Sequence, residues 1–178
     1  MQISPNLIEV YADGSGNTMA SDGGFGWRIV VDNVFLEEGS GYLQQATNNI
    51  AEITAAIKGL NRAEAIILQN GWQMAEVVLI SDSQLVLNYA ADKWRCKAEH
   101  LRPLKTELNK VYNRLNAGTR WVKGHNGDPH NEACDKLAGN ARKSKGRCAT
   151  CDGTGGIARN EHENADRCLD CGGFGVTS

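Results

Sequence analysis

Four acidic residues stand in apolar surroundings where a lone charge is costly. Asp13 ends the run Leu7-Ile8-Glu9-Val10-Tyr11-Ala12, and Asp82 ends Val77-Val78-Leu79-Ile80-Ser81. Glu52 lies within Thr47-Asn48-Asn49-Ile50-Ala51-Glu52-Ile53, and Asp135 within Asn131-Glu132-Ala133-Cys134-Asp135-Lys136-Leu137-Ala138. A carboxylate at the end of a buried strand is unfavourable unless it is paired or holds a cation. Several such groups converging would make an all-oxygen site suited to hard divalent ions. Phosphodiester hydrolysis assisted by metal ions uses that arrangement.

These residues need elements to position them. Residues 7–13 read as a strand that runs into the turn Asp13-Gly14-Ser15-Gly16, and the Gly/Ser/Asn/Asp-rich stretch 14–24 as a loop. Residues 25–31 and 34–43 read as two more strands, joined by a hairpin turn at Asp32-Asn33. Ile50, Ile53, Ile57 and Leu60 then recur at helical spacing. Thr47 or Asn48 is the N-cap of this helix, and Asn70-Gly71 its end. Residues 77–81 form a short, wholly apolar strand, the pattern of a central position in a covered sheet. Asp82-Ser83 caps a short helix reaching Tyr89. Residues 100–116 form a helix with Leu101, Leu104, Leu108, Val111 and Leu115 on one face. Thr119–Lys123 is a strand ending in Gly124-His125, and 131–143 is the last helix, with Asp135 near its head. The order βββαβααβα implies an α/β fold: a five-stranded mixed sheet flanked by helices.

Composition narrows the function classes. The chain has 178 residues, 41% hydrophobic, and a formal net charge of −2. That length fits one domain with a small appendage. With no strong overall charge, nucleic-acid binding must come from a local patch. The stretch 93–123 supplies nine cations (Lys93, Arg95, Lys97, Arg102, Lys105, Lys110, Arg114, Arg120 and Lys123) against only Glu99 and Glu107. Trp94, among these cations, is the aromatic best placed to stack on a base. Trp27, Trp72 and Trp121 read as core residues. His130 and His162 read as surface residues and His100 as a helix-start residue. The N-terminus lacks the basic-then-apolar pattern of a signal peptide, and no apolar run reaches the ~18–20 residues that span a bilayer. The expectation is a cytoplasmic monomer with no membrane contact.

Beyond Ser144-Lys145-Gly146 the composition changes. Domains are therefore expected at 1–145 and 146–178. The second segment carries Cys148-Ala-Thr-Cys151-Asp-Gly-Thr-Gly and Cys168-Leu-Asp-Cys171-Gly-Gly-Phe-Gly, an internal C-x-x-C-x-G-x-G repeat. Sixteen residues separate the two pairs. Four thiolates at this spacing predict one closed, structural zinc site, a small zinc-binding knuckle. The repeat resembles part of the cysteine-rich domain of DnaJ-type co-chaperones. The tail is slightly acidic, with Arg147, Arg159 and Arg167 against Asp152, Glu161, Glu163, Asp166 and Asp170, which argues against a phosphate-binding finger and leaves a protein partner open. Cys134 reads as a small buried residue.

Read together, the motifs Tyr11-Ala12-Asp13-Gly14-Ser15, Thr47-Asn48-Asn49-x-x-Glu52, Ser81-Asp82-Ser83-Gln84 and the string Trp121–Ala138, with Lys123-Gly124-His125, Pro129, Asn131 and Asp135, resemble ribonuclease H of type 1 in the family's order. The resemblance covers about residues 7–143 and implies a ribonuclease H-like fold. It implies cleavage of the RNA strand of RNA–DNA hybrids with two magnesium ions, manganese being an alternative, to give 5′-phosphate and 3′-hydroxyl ends. Asp13, Glu52, Asp82 and Asp135 would be the magnesium ligands and His125 a mobile proton-transfer residue. Gly14, Ser15, Asn48, Asn49, Gln84, Trp94 and Asn131 would meet the hybrid. One departure is that the basic protrusion of many bacterial members is reduced here to about 91–99. A DNA-directed or structure-selective nuclease, and a non-catalytic hybrid-binding adaptor that recruits a partner through the zinc module, remain as alternatives.

Overall fold

The computed structural model describes residues 4–17 and 21–145 and, beyond them, only the strand pair Gly156–Ile157 and Asp166–Arg167. The four tail cysteines, and with them the expected zinc knuckle, lie outside the described residues. β1 (Leu7–Ser15), β2 (Gly23–Val31) and β3 (Val34–Leu43) form an antiparallel meander. α1 (Asn48–Asn70) then crosses to β4 (Glu76–Ser81), which lies parallel to β1. α2 (Gln84–Ala90), a 3-10 turn (Glu99–Leu101) and α3 (Arg102–Arg114) lead to β5 (Gly118–Trp121), parallel to β4. α4 (Pro129–Ser144) closes the domain, and the sheet order is β3-β2-β1-β4-β5.

Local chemistry sets the boundaries. At the β2–β3 hairpin, Asp32 and Asn33 both adopt left-handed φ values of 47° and 67°. Such a turn matches the twist of paired strands, and short polar residues tolerate it. The Thr47 hydroxyl caps α1 by accepting from Ile50 N at 3.4 Å, and Gly71 ends the helix at φ 71°. Along β1 the side chains alternate. Ile8, Val10 and Ala12 join the larger core with α1, α2 and α3, while Tyr11 joins the smaller one with Val30, Ile80 and Cys134 under α4. The apolar β4 is paired on both edges, as its sequence predicts. Leu108 and Val111 of α3 are buried, and Leu104 and Leu115 pack beside them.

Glycines set how closely α4 approaches the sheet. A Cβ at Gly26 would stand 2.5 Å from Cys134 O, and one at Gly24 would be driven into the α4 backbone at Ala138 and Arg142. Their absence lets the Asp135 helix lie against β2.

Four expectations change. β5 stops at Trp121 rather than Lys123. Trp121 is not core; it is 50% exposed on the outer parallel strand. α4 starts at Pro129, capped by Asp128, whose Oδ1 accepts from His130 N and Asn131 N at 3.0 and 2.9 Å. Asp135 therefore sits in the second turn, not at the head. His130 is half-buried, its ring centroid 5.0 Å from that of Tyr11. Among the described residues no helix is long and apolar enough to cross a membrane.

Candidate active site

β1 and β4 run parallel, in register from Leu7↔Glu76 to Tyr11↔Ile80. Two residues beyond that last pair come Asp13, still within β1, and Asp82, just past the end of β4. Parallel pairing thus delivers two carboxylates to one edge of the sheet, the carboxyl ends where open α/β folds place their ligands. Asp13 is only 7% exposed, and its Oδ1 accepts from Gly14 N at 2.7 Å. Gly14 supplies the third carboxylate. A Cβ there would collide with the backbone of Ala51 and Glu52, so its bare Cα lets α1 close onto the end of β1 beside Asp13. The fourth, Asp135, comes from α4 on the other face.

Glu52 and Asp82 are oriented by neighbours as well. Glu52 Oε2 accepts from Ser83 Oγ at 2.6 Å, and Glu52 Oε1 from Asn48 Nδ2 at 2.5 Å. Asp82 is approached by Asn131 Nδ2 at 3.5 Å from its Oδ2, and the Trp121 indole donates to the Asp82 carbonyl at 3.0 Å. A Cβ at Gly124 would stand 2.6 Å from Asp82 Oδ2, so the loop carrying His125 rests directly on that carboxylate. His125 itself is exposed, at a left-handed φ of 52°.

The expected substrate residues surround this edge, except Asn131, which at 2% exposure is buried and turned to Asp82 instead of open to a hybrid. Asn48 and Asn49 are exposed at the start of α1, and Asn48 Oδ1 accepts from Gly16 N at 3.2 Å. They line a cavity of about 380 Å³ with Gly16, Asn17, Thr47 and His100. Gln84 is exposed at the first position of α2, and Gly14 and Ser15 continue β1 past Asp13. Trp94 is 45% exposed in the 91–98 connection, away from these elements in sequence. Two contributors escape the sequence reading. Ser83 was legible only as a helix cap, yet its hydroxyl also donates to Glu52. His100 reaches the cavity wall because the 3-10 turn swings it there. The one-dimensional signal of Ser83 is a short polar residue before a helix, which says nothing of a partner distant in the chain.

Electrostatics shows what these acids lack. The Asp13 carboxyl is pushed up to about 8, first by burial, then by the charge of Asp82, with Asp135 and Glu52 adding and only the Gly14 N–H opposing. Glu52 is raised as well, first by burial and further by Asp82, while the Ser83 and Asn48 hydrogen bonds oppose the shift. Among the described residues, no three of the acidic, histidine or cysteine groups are drawn together tightly enough to chelate an ion unaided. The residues nonetheless fit a hard divalent cation: the donors are all oxygen and their mutual repulsion is uncompensated. The Asn131 side chain, 2% exposed, also keeps its buried Oδ1 without a hydrogen-bond partner, an acceptor that a hydrated cation can satisfy.

Such an edge, with carboxylates flanked by exposed amides, has the chemistry to take a divalent cation and a phosphodiester. The RNase H family model matches residues 5–143. A ribonuclease H of Treponema pallidum is 31% identical over 161 residues, covering 76% of this chain and 90% of the relative. RNase H1 of the archaeon Halobacterium salinarum superposes with a TM-score of 0.65 at 26% identity, covering 76% of this chain and 97% of its own. LC11-RNase H1, solved in complex with an RNA/DNA hybrid, superposes with a TM-score of 0.67 at 21% identity, covering 76% and 96%. The chain belongs to the RNase H family. It is a hydrolase, an endoribonuclease, of a family that depends on divalent metal.

A stability prediction follows from Asp13. Its carboxyl ionises near 3.8 unfolded and near 8 folded, so folding favours the protonated form. Its contribution is full below the lower value and is lost as pH rises through the upper one. In EDTA, wild-type Tm should fall more steeply across that window than the Tm of Asp13→Asn, and Mg²⁺ should restore the wild type. Parallel Tm–pH profiles for the two proteins would refute this.

Proposed function

We propose that this chain hydrolyses the RNA strand of RNA–DNA hybrids, leaving 5′-phosphate and 3′-hydroxyl ends, with Asp13, Glu52, Asp82 and Asp135 as ligands of two Mg²⁺ ions that Mn²⁺ can replace. The observation that carries this reading is the Asp13 carboxylate, buried at a strand end among three other acids and flanked by Asn48, Asn49 and Gln84. Bound cations would neutralise charge developing on the phosphodiester. The chain's own side chains do the rest. Ser83 and Asn48 hold Glu52 in one orientation, and Asn131 approaches Asp82. His125, exposed on a loop in contact with Asp82, is suited to moving a proton at the reacting centre. Asn48, Asn49 and Gln84 are short amides that both donate and accept, which suits recognition of a 2′-hydroxyl. Gly14 and Ser15 lie against the strand being cut, and Trp94 offers an exposed ring for stacking.

The assay compares labelled hybrid, duplex DNA and single-stranded RNA, with Mg²⁺ and with EDTA. Hybrid alone should be cut, only with metal. Asp13→Asn should lower the rate by more than about 100-fold, beyond the ~10–100-fold typical of losing a group that merely orients a ligand. Cleavage of duplex DNA would replace this reading with a DNA-directed nuclease. Binding without cleavage under any divalent metal would replace it with an adaptor.

The tail is proposed to hold one structural Zn²⁺ on Cys148, Cys151, Cys168 and Cys171 and to offer a surface to a protein partner. The internal repeat supports this, as does the antiparallel pairing of Gly156–Ile157 with Asp166–Arg167, which follow the first copy and precede the second. Metal analysis of freshly reduced protein should find about one zinc per chain; finding none would end the proposal.

A further inference from the structure

Three glycines lie against or within α4, and one differs from the others. Gly24 and Gly26 are required because the α4 backbone occupies the space where their side chains would go. Gly139 sits inside α4, where a Cβ would meet nothing within 4 Å. A mid-helix glycine costs about 1 kcal/mol relative to alanine. Among the described residues no packing compensates for that cost, and the space above Gly139 is open.

That space is a cavity of about 290 Å³ lined by Ser15, Asp22, Gly139, Arg142, Lys143 and Lys145. Three cations face one carboxylate. Asp22 is already engaged: the Tyr42 hydroxyl donates to its Oδ1 at 2.5 Å and Lys145 Nζ lies 3.6 Å from its Oδ2. Arg142 donates to Gly16 O at 3.3 Å, which fixes its guanidinium at the mouth while leaving other donors free. Lys143 is exposed and has no protein partner among the described residues. The cavity adjoins the active edge from both sides. Ser15 is two residues past Asp13 on β1. Gly139 and Arg142 follow Asp135 at i+4 and i+7, on the same face of α4. At 1.5 Å per residue, Lys143 lies roughly 12 Å along the helix from Asp135, a span that a short stretch of nucleic-acid strand can bridge.

We propose that this cavity is a subsite for a backbone phosphate of the strand being cut, away from the scissile position, with Lys143 and Arg142 as its cations, Ser15 as a neutral donor and Gly139 as the gap that lets the backbone approach. The inference rests on the hybrid-cleaving reading and assigns that reaction a second grip on its substrate, on the α4 side of the site. Charge at this point positions the strand without reading sequence.

The test is equilibrium binding of an RNA–DNA hybrid in EDTA, where it is not cleaved, over a salt series. Lys143→Gln should weaken binding about 3- to 10-fold and reduce the slope of log K against log salt by about one. Gly139→Leu should fold with an undiminished Tm, because the space is open, yet weaken binding by filling it. Lys58→Gln, an exposed cation on α1 outside the cavity, should change neither affinity nor slope. A neutral methylphosphonate moved along the RNA strand should weaken wild-type binding at one position and leave Lys143→Gln indifferent there. If the wild type cleaves hybrid while both cavity variants bind it with wild-type affinity and slope, the subsite is wrong and the functional reading stands. A methylphosphonate profile identical in wild type and Lys143→Gln also overturns it. Failure of the wild type to bind hybrid overturns both.

Discussion

Asp13 is a carboxylate held almost entirely out of water, with Asp82, Asp135 and Glu52 near enough to repel it. Burial and like charge act in the same direction, and one backbone N–H opposes them. Such an arrangement is relieved either by protonation or by a bound cation, and the structure around Asp13 is the means of assembling it. Parallel pairing of β1 and β4 brings Asp82 level with Asp13. The bare Cα of Gly14 admits α1 and Glu52. The bare Cα atoms of Gly24 and Gly26 admit α4 and Asp135. The core on each side of the sheet stabilises this closeness.

The supporting side chains follow from the same constraint. Ser83 and Asn48 donate to Glu52, and Asn131 approaches Asp82, so the acids are held by donors rather than left to rotate apart. Further down the same face of β1, Glu9 is buried and ion-paired with Arg120, whose guanidinium also reaches the Tyr11 hydroxyl. That pair neutralises the one other acid on the inner face of β1, leaving the uncompensated charge concentrated at the strand end.

Much of this was legible in the chain because it depends on neighbours in sequence. The apolar runs that end in Asp13 and Asp82, the Asp32-Asn33 turn, the Thr47 cap and the leucine stripe of α3 are all local signals. What was not legible depends on contacts between distant residues. Trp121 reads as core by its type, but β5 is the outer strand of its sheet and leaves the indole half in water. Asp135 reads as a helix-head residue until Asp128 and Pro129 start α4 earlier. The hydrogen bond from Ser83 to Glu52 and the pairing of Arg120 with Glu9 join residues 31 and 111 positions apart, with no periodicity to announce them. The difference between Gly26, needed for packing, and Gly139, with open space above it, exists only in three dimensions.

The central claim, that crowded and buried carboxylates make the Asp13 strand end a cation site, is tested most directly by following the Asp13 carboxyl carbon by NMR through a pH titration, with and without Mg²⁺. The account predicts a midpoint near 8 without metal and a marked fall when Mg²⁺ is added. A midpoint near the ordinary 3.8, unmoved by Mg²⁺, would contradict it.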